Sequence, residues 1–355
     1  MPEPLLTVRD LTVHFETDDG IVKAVDGVSY DVYRGRALGI VGESGSGKSV
    51  SSLTVMGLTR QRNAQISGEV FFEGRDLLKA SDAELRAIRG NDIAMIFQDP
   101  LSSLHPYYKV GWQLVEAIRV HNPTISKQAA RGRAIELLDT VDIPEPKARV
   151  DAYPHEFSGG MRQRAMIAMA LANDPKLLIA DEPTTALDVT VQAQILSLIR
   201  RLQEELDTAV VMISHDLGVI AETAQEVAVM YAGRIVEHAP TESIFNKPEH
   251  PYTWGLITSI PRLDSPRDAP LVPIPGRPPS LINLPGGCSF HPRCPYVRDR
   301  HRKVDPPLEQ VPGQPDHKVA CLLPTDTRKR IWAELREGKD PATVRKEVAL
   351  EEEPA

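Results

Sequence analysis

One segment, a glycine-rich loop at residues 42–49, restricts the fold of this chain more than any other. It has the form GxxxxGK[ST], follows the short apolar run Ala37–Val41 and precedes a predicted helix that begins at Lys48. The glycines of such a loop let backbone N–H groups point at phosphate oxygens, and the helix N-terminus adds a partial positive charge. The residues expected to bind a nucleotide here are Gly42, Ser44, Gly45, Ser46, Gly47, Lys48 and Ser49.

Short apolar runs at three other places predict further strands of the same sheet. They are Ile93–Phe97, Leu177–Asp181 and Ala209–Ser214, and helical stretches separate them. This alternation is typical of an α/β fold in which helices cover a parallel sheet. Outside it we expect half-buried strands at Leu5–Phe15 and Gly27–Val32, a hairpin at Val227–Tyr231 and Arg234–His238, and a helical insert that contains Ala129–Val141.

Polar residues at the ends of these strands predict a site for ATP hydrolysis. Asp181 is suited to hold a hydrated Mg²⁺ together with the Ser49 hydroxyl, and Glu182 can accept a proton from the attacking water. Gln98 can reach both metal and water, and His215 can donate to the γ-phosphate. The expected catalytic residues are therefore Glu182, His215 and Gln98, and the expected Mg²⁺ ligands are Ser49, Gln98 and Asp181.

A second phosphate-binding element lies at residues 157–164, which read FSGGMRQR. It stands at the start of a predicted helix, so Ser158, Gly159 and Gly160 can present a second set of N–H groups to an anion. One nucleotide does not need two such sites from a single chain. We therefore expect two chains to share their nucleotides.

Composition makes several classes of function improbable. The net charge of −8 offers no basic surface for nucleic acid. No apolar run reaches the roughly 18 residues needed to cross a bilayer, and the N-terminus lacks the pattern of a secretory signal. We expect a cytoplasmic protein whose role at a membrane comes through partners.

The composition changes after residue 260. Half of the 30 prolines and all three cysteines lie within residues 261–325, a segment that can form little regular structure and needs another restraint to stay folded. The charged residues 326–355 predict a solvated helix and a loose tail. The expected domains are thus 1–260 for the nucleotide, with a helical subdomain at about 99–165, then an irregular Pro- and Cys-rich extension and the tail.

Six motifs in sequence order resemble those of ATP-binding cassette (ABC) ATPases. They are the phosphate loop, Gln98, Ser158-Gly159-Gly160, Asp181-Glu182, Ala186-Leu187-Asp188 and His215. The resemblance covers about residues 5–260 and implies a P-loop NTPase core with an antiparallel β subdomain and a helical subdomain. It also implies two domains facing head to tail, each ATP lying between one chain's phosphate loop and the other's signature, with Asp188 at the seam.

The signature departs from the commonest form of the family at two positions. Phe157 and Met161 stand where that form has Leu and Gln, but the Ser-Gly-Gly core is intact, so the departures concern packing. For the aromatic residue that stacks on adenine, the candidate is Phe15. Its spacing from Lys48 is long, and Val22 is the competing position.

The residues in and around these motifs are similar to those of the ATPases of bacterial oligopeptide and dipeptide importers, the peptide/nickel type. The similar segments include FQDPLSSLHP, YPHEFSGGMRQRAMIAMALA, DEPTTALDVTVQAQIL and PGRPPSLINLPGGCSFHPRCPY. This implies an ATPase that uses ATP and Mg²⁺ at the cytoplasmic face of the bacterial inner membrane. Its implied partners are a sister ATPase in a heterodimer, two membrane permeases and an extracytoplasmic solute-binding protein.

In that subfamily four cysteines of the C-terminal extension bind a [4Fe–4S] cluster. This chain has Cys288, Cys294 and Cys321, and His301 stands where the third of the four would lie. Three interpretations stay open: an iron–sulfur cluster, a zinc site of three Cys and one His, and buried thiols without metal.

Other functions compete with transport of peptides. The same ATPase role could serve nickel, glutathione or another small solute, and a non-transport ATPase of this fold could act on DNA or ribosomes. The DNA-repair type should carry long insertions and the translation type two cassettes in tandem, and neither pattern occurs in this sequence. A degenerate regulatory subunit is disfavoured because Lys48, Asp181, Glu182 and His215 are all retained.

Overall fold

A computed structural model describes residues 3–99, 103–185, 187–259 and 273–349. Two sheets organise this part of the chain, one antiparallel with strand order β2-β1-β4-β5 and one mostly parallel with order β11-β12-β10-β9-β3-β8-β7-β6. The strands are β1 (Leu6–Thr17), β2 (Gly20–Val32), β3 (Ala37–Val41), β4 (Ala64–Phe72), β5 (Arg75–Asp76), β6 (Ile93–Ile96), β7 (Leu177–Asp181), β8 (Ala209–Ser214), β9 (Glu226–Tyr231), β10 (Arg234–Pro240), β11 (Glu309–Gln310) and β12 (Lys318–Val319).

The parallel strands β6, β7, β8, β3 and β9 form the centre of the larger sheet. Every residue of β3, β6, β7 and β8 is buried, as expected for strands covered on both faces. Alternate residues face opposite sides: Leu178 and Ala180 pack toward the helices, whereas Leu177 and Ile179 pack toward the antiparallel sheet. The predicted α/β core with an antiparallel subdomain is confirmed.

Helices cover the larger sheet and form the insert after β6. They are α1 (Lys48–Val55), α2 (Asp82–Ile88), α3 (Val110–His121), α4 (Lys127–Thr140), α5 (Pro146–Arg149), α6 (Gly159–Ala170), α7 (Val189–Leu206), α8 (Leu217–Thr223), α9 (Thr241–Asn246), α10 (Pro251–Thr258), α11 (Asp299–Lys303), α12 (Thr325–Arg336) and α13 (Pro341–Ala349), with a 3-10 turn at Pro154–Glu156. No helix among the described ranges is long and apolar enough to cross a membrane.

The C-terminal extension packs on the core rather than lying apart from it. Its strand β12 pairs antiparallel with β10, so the extension continues the larger sheet at that edge. The predicted boundary between residues 260 and 261, like residues 350–355 of the predicted tail, lies outside the described residues. The proposed division into domains therefore stays a prediction.

The prediction of a solvated helix after residue 325 is wrong for one face of α12. Ile331, Trp332 and Leu335 are buried in a cluster with Trp254 and Tyr296. The many charged residues around them gave the segment a polar average composition, which hid an apolar stripe at helical spacing.

A buried charge network fastens α12 and β12 to the core. The Arg328 guanidinium contacts the Glu249 carboxylate at 2.6 Å, with 6% and 2% of the two side chains exposed. His317 Nε2 lies 2.7 Å from a Glu237 carboxylate oxygen, and both side chains are buried. Because Glu237 also accepts hydrogen bonds from the backbone N–H groups of Glu249 and His250, the network joins three segments distant in sequence. It supplies part of the restraint that a proline-rich segment needs.

Replacing Arg328 with alanine is expected to lower the free energy of unfolding by about 3–5 kcal/mol, because Glu249 keeps a buried charge without its partner. Chemical denaturation of the full chain measures this loss. Lys329→Ala, at an exposed position of the same helix, should change stability by less than about 0.5 kcal/mol. Equal effects of the two substitutions would contradict the assigned role of the pair.

Candidate functional site

The phosphate-binding loop connects β3 to α1, as predicted. Gly42 has φ of 157°, and a Cβ at this position would lie 2.2 Å from the carbonyl oxygen of Met230. Gly47 has φ of 100°, and a Cβ there would lie 2.2 Å from the carbonyl oxygen of Ala24. Close packing against two neighbouring strands thus requires glycine at both positions and fixes the path of the loop.

Lys48 is the first residue of α1, and its side chain reaches back to the start of the loop. Its ammonium donates to the carbonyl oxygens of Gly42 at 2.7 Å and of Glu43 at 3.0 Å, and the side chain is buried. Burial lowers the pKa of Lys48, whereas the carboxylates of Glu182, Asp181 and Glu43 oppose this shift. Negative charge close to this buried ammonium therefore favours its protonated form.

Ser49 and Asp181 form the predicted metal-binding pair. The Ser49 hydroxyl donates to an Asp181 carboxylate oxygen at 3.0 Å, although the residues are 132 positions apart in sequence. Burial raises the pKa of Asp181, the hydrogen bond from Ser49 opposes this, and the adjacent Glu182 raises it further. A cation between these oxygens would stabilise the charged carboxylate, so the donor set fits Mg²⁺.

Glu182 is the meeting point of the predicted catalytic residues. One carboxylate oxygen lies 3.1 Å from His215 Nδ1, and the other accepts hydrogen bonds from the Gln98 side-chain amide at 2.8 Å and the Thr185 hydroxyl at 3.0 Å. Burial raises the pKa of the Glu182 carboxyl, but the hydrogen bonds from His215 and Thr185 and the charge of Lys48 outweigh it. The net pKa is below its usual value, so Glu182 is ionised at neutral pH and can act as a base.

The backbone also holds Glu182 in place. Its φ of 48° lies in the left-handed region, which is rare for a residue other than glycine. Its N–H donates to the carbonyl oxygen of Ile213 in β8 at 3.0 Å. A strained backbone fixed by a neighbouring strand is typical of functional positions.

The signature forms an exposed helix N-terminus. Ser158 caps α6 by accepting a hydrogen bond from the Met161 N–H at 3.3 Å, and Ser158 and Gly159 are exposed. Phe157 is buried, as expected for a departure that concerns packing. Helix α6 is twelve residues long, and the N–H groups of its first turn face a surface where an anion can approach.

The signature helix is linked to the loop that follows Glu182. The Gln163 side-chain amide donates to the carbonyl oxygen of Pro183 at 2.5 Å in the interior. Asp188, which caps α7 through the Val191 N–H at 3.0 Å, lies on the far side of that loop. Ala186, the first residue of the predicted Ala186-Leu187-Asp188 motif, lies outside the described residues.

Phe15 and its competitor Val22 lie directly opposite one another on β1 and β2. Phe15 is half-buried and packs at the margin of the core cluster that includes Ile40. Both candidates therefore occupy the same end of one hairpin, and the assignment of adenine stacking to Phe15 remains a prediction.

The structure does not support the predicted metal site at Cys288, Cys294, His301 and Cys321. Within the described ranges, which contain all four residues, no three His, Cys, Asp or Glu side chains are grouped to hold a metal ion. Nδ1 of His301 accepts a hydrogen bond from the Arg298 N–H at 3.1 Å. Burial raises the pKa of Cys288 and Cys294 and, for Cys321, raises it to about 12. Burial therefore favours the neutral thiol over the thiolate at all three positions.

Two residues that contact the site lie outside the sequence motifs that predicted it. Thr185 completes the hydrogen bonds to Glu182, and the signal for it was its location three residues downstream in a turn. Arg293 contacts the Glu43 carboxylate in the phosphate loop from 250 positions away. Glu43 occupies a variable position of the loop pattern, so no local signal linked it to a distant arginine.

Two family sequence models match the chain. One, described as ABC transporter, matches residues 25–185, from β2 to Thr185. The other, described as the C-terminal region of oligopeptide/dipeptide transporters, matches residues 236–300, which include Arg293 and two of the cysteines. The two matches cover both the ATPase core and the extension.

Known proteins and solved structures agree with these matches. The oligopeptide transport ATP-binding protein OppD of Haemophilus influenzae is 53% identical over 297 residues, which cover 84% of this chain and 91% of the relative. The dipeptide transport ATP-binding protein DppD of Lactococcus lactis is 48% identical over 350 residues, or 95% of this chain and 99% of the relative. A dimeric ATP-binding cassette in a post-hydrolysis state, bound to ADP and phosphate, superposes with a TM-score of 0.60 at 27% identity and covers 66% of this chain and 98% of that structure.

Proposed function

Because the chain belongs to the ABC transporter family, among the ATP-binding subunits of oligopeptide/dipeptide transporters, we propose that it hydrolyses ATP to drive uptake of di- and oligopeptides through membrane permeases. The observation that carries this proposal is the convergence of Gln98, Glu182 and His215 beside the Lys48 loop. The test uses vesicles that contain the partner permeases, the sister ATPase and this chain, with the binding protein added outside. Uptake of labelled peptide into these vesicles is measured. ATP-independent uptake, or none, would contradict the proposal.

Each residue of the site has its own role in hydrolysis. The loop N–H groups and Lys48 bind the β- and γ-phosphates, while Ser49, Asp181 and Gln98 would hold Mg²⁺, which would neutralise phosphate charge. Water attacks the γ-phosphorus, the bond to the ADP oxygen breaks, and Glu182 takes the proton of the attacking water. His215, hydrogen-bonded to Glu182, donates to the γ-phosphate and orients the base.

We further propose that the ATP site is completed by a second ATPase subunit. Ser158, Gly159 and Gly160 lie at an exposed helix N-terminus, which suits a phosphate brought by another chain. The similar cassette described as dimeric supports two facing subunits. A sister ATPase in a heterodimer is the arrangement implied for this subfamily, with Asp188 at the seam.

Replacing Ser158 with glycine should lower hydrolysis at least about tenfold at the site whose phosphate loop belongs to the partner, because a transition-state donor is lost there. Photolabelling of vanadate-trapped mixed dimers with an azido-ATP analogue identifies the affected site. Ser126→Gly removes the equivalent cap of α4 and controls for loss of a helix cap. Loss of activity at the mutant chain's own loop would contradict the head-to-tail arrangement.

The helical insert offers a surface for the permeases. Tyr107 is 82% exposed, and Tyr108 and Trp112, each nearly half exposed, stack with ring centroids 4.3 Å apart. Large aromatic side chains grouped at a surface are typical of contact sites. Docking of permease segments here would place this chain at the cytoplasmic face of the bacterial inner membrane.

The cargo is chosen by the binding protein and the permeases rather than by this chain. Nickel, glutathione or another small solute is therefore the second candidate class, and the uptake assay separates it by competition with unlabelled peptide. Competition by peptides and not by the other solutes is the expected result.

A further inference from the structure

Arg293, in the C-terminal extension, forms an ion pair with the phosphate-binding loop. Its guanidinium makes two parallel contacts with the Glu43 carboxylate, Nη1 to Oε2 at 2.6 Å and Nη2 to Oε1 at 3.0 Å. Its Nε donates to the carbonyl oxygen of Pro275 at 2.8 Å, and the guanidinium carbon lies 5.8 Å from the Tyr231 ring centroid. Only 4% of the Arg293 side chain is exposed. A buried, two-pronged contact of this kind is rigid and directional.

Glu43 is held at each of its polar groups. Its backbone N–H donates to the Tyr252 hydroxyl at 2.8 Å, and its carbonyl oxygen accepts from the Lys48 ammonium at 3.0 Å. Its carboxylate accepts both hydrogen bonds from the Arg293 guanidinium. Two of these partners lie beyond residue 250, so the second residue of the loop is positioned by the end of the cassette and by the extension.

The extension also holds the hairpin on the other side of the loop. The Leu281 carbonyl oxygen accepts a hydrogen bond from the Lys23 N–H in β2 at 3.0 Å. The next residue of β2, Ala24, is the one whose carbonyl oxygen packs against Gly47. The extension thus reaches the phosphate loop from two directions, through Glu43 and through β2.

We propose that Arg293 is a positioning residue of the nucleotide site and that, through Glu43, ATP binding and the folded state of the C-terminal extension stabilise each other. The inference rests on the proposed ATP-binding role of the loop. A loop whose N–H groups are already oriented binds phosphate without an ordering cost, so release of Glu43 weakens binding. Without Arg293, the Glu43 carboxylate would also leave an uncompensated negative charge beside the incoming phosphates.

The first test measures binding of a fluorescent ATP analogue with Mg²⁺ to the full chain. Arg293→Met should lower affinity about tenfold, and Arg293→Lys, which keeps the charge but loses the fork, should recover part of it. The KM for ATP of the assembled ATPase should rise while kcat changes little, since no group that touches the reacting atoms is altered. Arg277→Met, at an exposed position of the same extension, is the matched control and should leave affinity unchanged.

A double-mutant cycle separates coupling from loss of charge. Glu43→Gln and Arg293→Met should each weaken binding, and the double variant should bind more tightly than the product of the two single effects predicts. Independent, multiplicative effects would overturn the proposed link between the two side chains.

The second test reads the same coupling from the extension. The chain's three cysteines all lie in this segment and Cys288 is buried, so the rate at which a disulfide reagent modifies Cys288 reports opening of the extension. A non-hydrolysable ATP analogue with Mg²⁺ should slow modification of the wild-type chain at least about fivefold, because coupling between two sites is reciprocal. In Arg293→Met this protection should be lost, while Arg277→Met should retain it.

The outcomes distinguish this inference from the proposed function. A wild-type chain that fails to bind ATP contradicts the function itself. Normal ATP affinity in Arg293→Met and Arg293→Lys, with unchanged protection of the thiols, overturns the inference and leaves the ion pair with a structural role only. Should Arg293→Met not fold, Arg293→Lys and Glu43→Gln carry the same test.

Discussion

Replacing Glu182 with glutamine is expected to lower the rate of ATP hydrolysis by about 10³-fold or more, with ATP binding retained. The amide cannot accept the proton of the attacking water, and a positioned general base contributes about 10²–10⁴ to the rate. The fold should be kept, because the amide oxygen of glutamine can replace the carboxylate oxygen that accepts hydrogen bonds from Thr185 and Gln98. Steady-state release of phosphate measures the loss.

Two further observations check the role of Glu182. Since the pKa of this carboxyl lies below its usual value, the base is ionised throughout about pH 6–8, and the deficit of the variant should be constant over that range. ATP should also trap the variant as a closed dimer, detected by size-exclusion chromatography with light scattering. Glu204→Gln, at an exposed position of α7, is the control, and unchanged hydrolysis in Glu182→Gln would remove this residue from the base role.

Replacing Lys48 with alanine is expected to weaken MgATP binding by about a hundredfold or more. Two charge-assisted hydrogen bonds to phosphate at about 1.5–3 kcal/mol each correspond to at least two decades of affinity. The ammonium also donates to the carbonyl oxygens of Gly42 and Glu43, so its removal loosens the loop as well. Isothermal titration with MgATP measures the change.

The control for this variant is Lys127→Ala, which removes a lysine from the exposed start of α4. Thermal unfolding without nucleotide shows whether the Lys48 variant is folded. A folded Lys48→Ala chain with wild-type affinity would show that the loop does not bind the phosphates.

The central fold could be predicted from sequence because its strands are unambiguous. β3, β7 and β8 are short apolar runs bounded by polar residues, and their predicted bounds agree with the structure, since burial on both faces admits only apolar side chains. β4 was not predicted, although Val70 and Phe72 alternate with more exposed residues as a half-buried strand requires.

The functional site likewise has one part that could be predicted from the sequence and one part that could not. Lys48, Ser49 and Asp181 come together because a parallel sheet brings the carboxyl ends of its strands to one edge, which spacing along the chain can predict. Glu43 and Arg293 meet only through the path of the whole extension. The metal-bound interpretations of His301 rested on the position that it shares with a ligand of similar proteins, and they have no support among the described residues, where Nδ1 of His301 accepts a local hydrogen bond from the Arg298 N–H.

The separation of 250 residues between Glu43 and Arg293 has a consequence during synthesis. At about 5–20 residues per second, a ribosome needs roughly 12–50 s to extend the chain from one residue to the other. Throughout that interval the loop is present without its arginine, and any nascent cassette that binds ATP does so with an incompletely held loop. The nucleotide site, whose motif is among the first parts to be translated, is among the last to be completed.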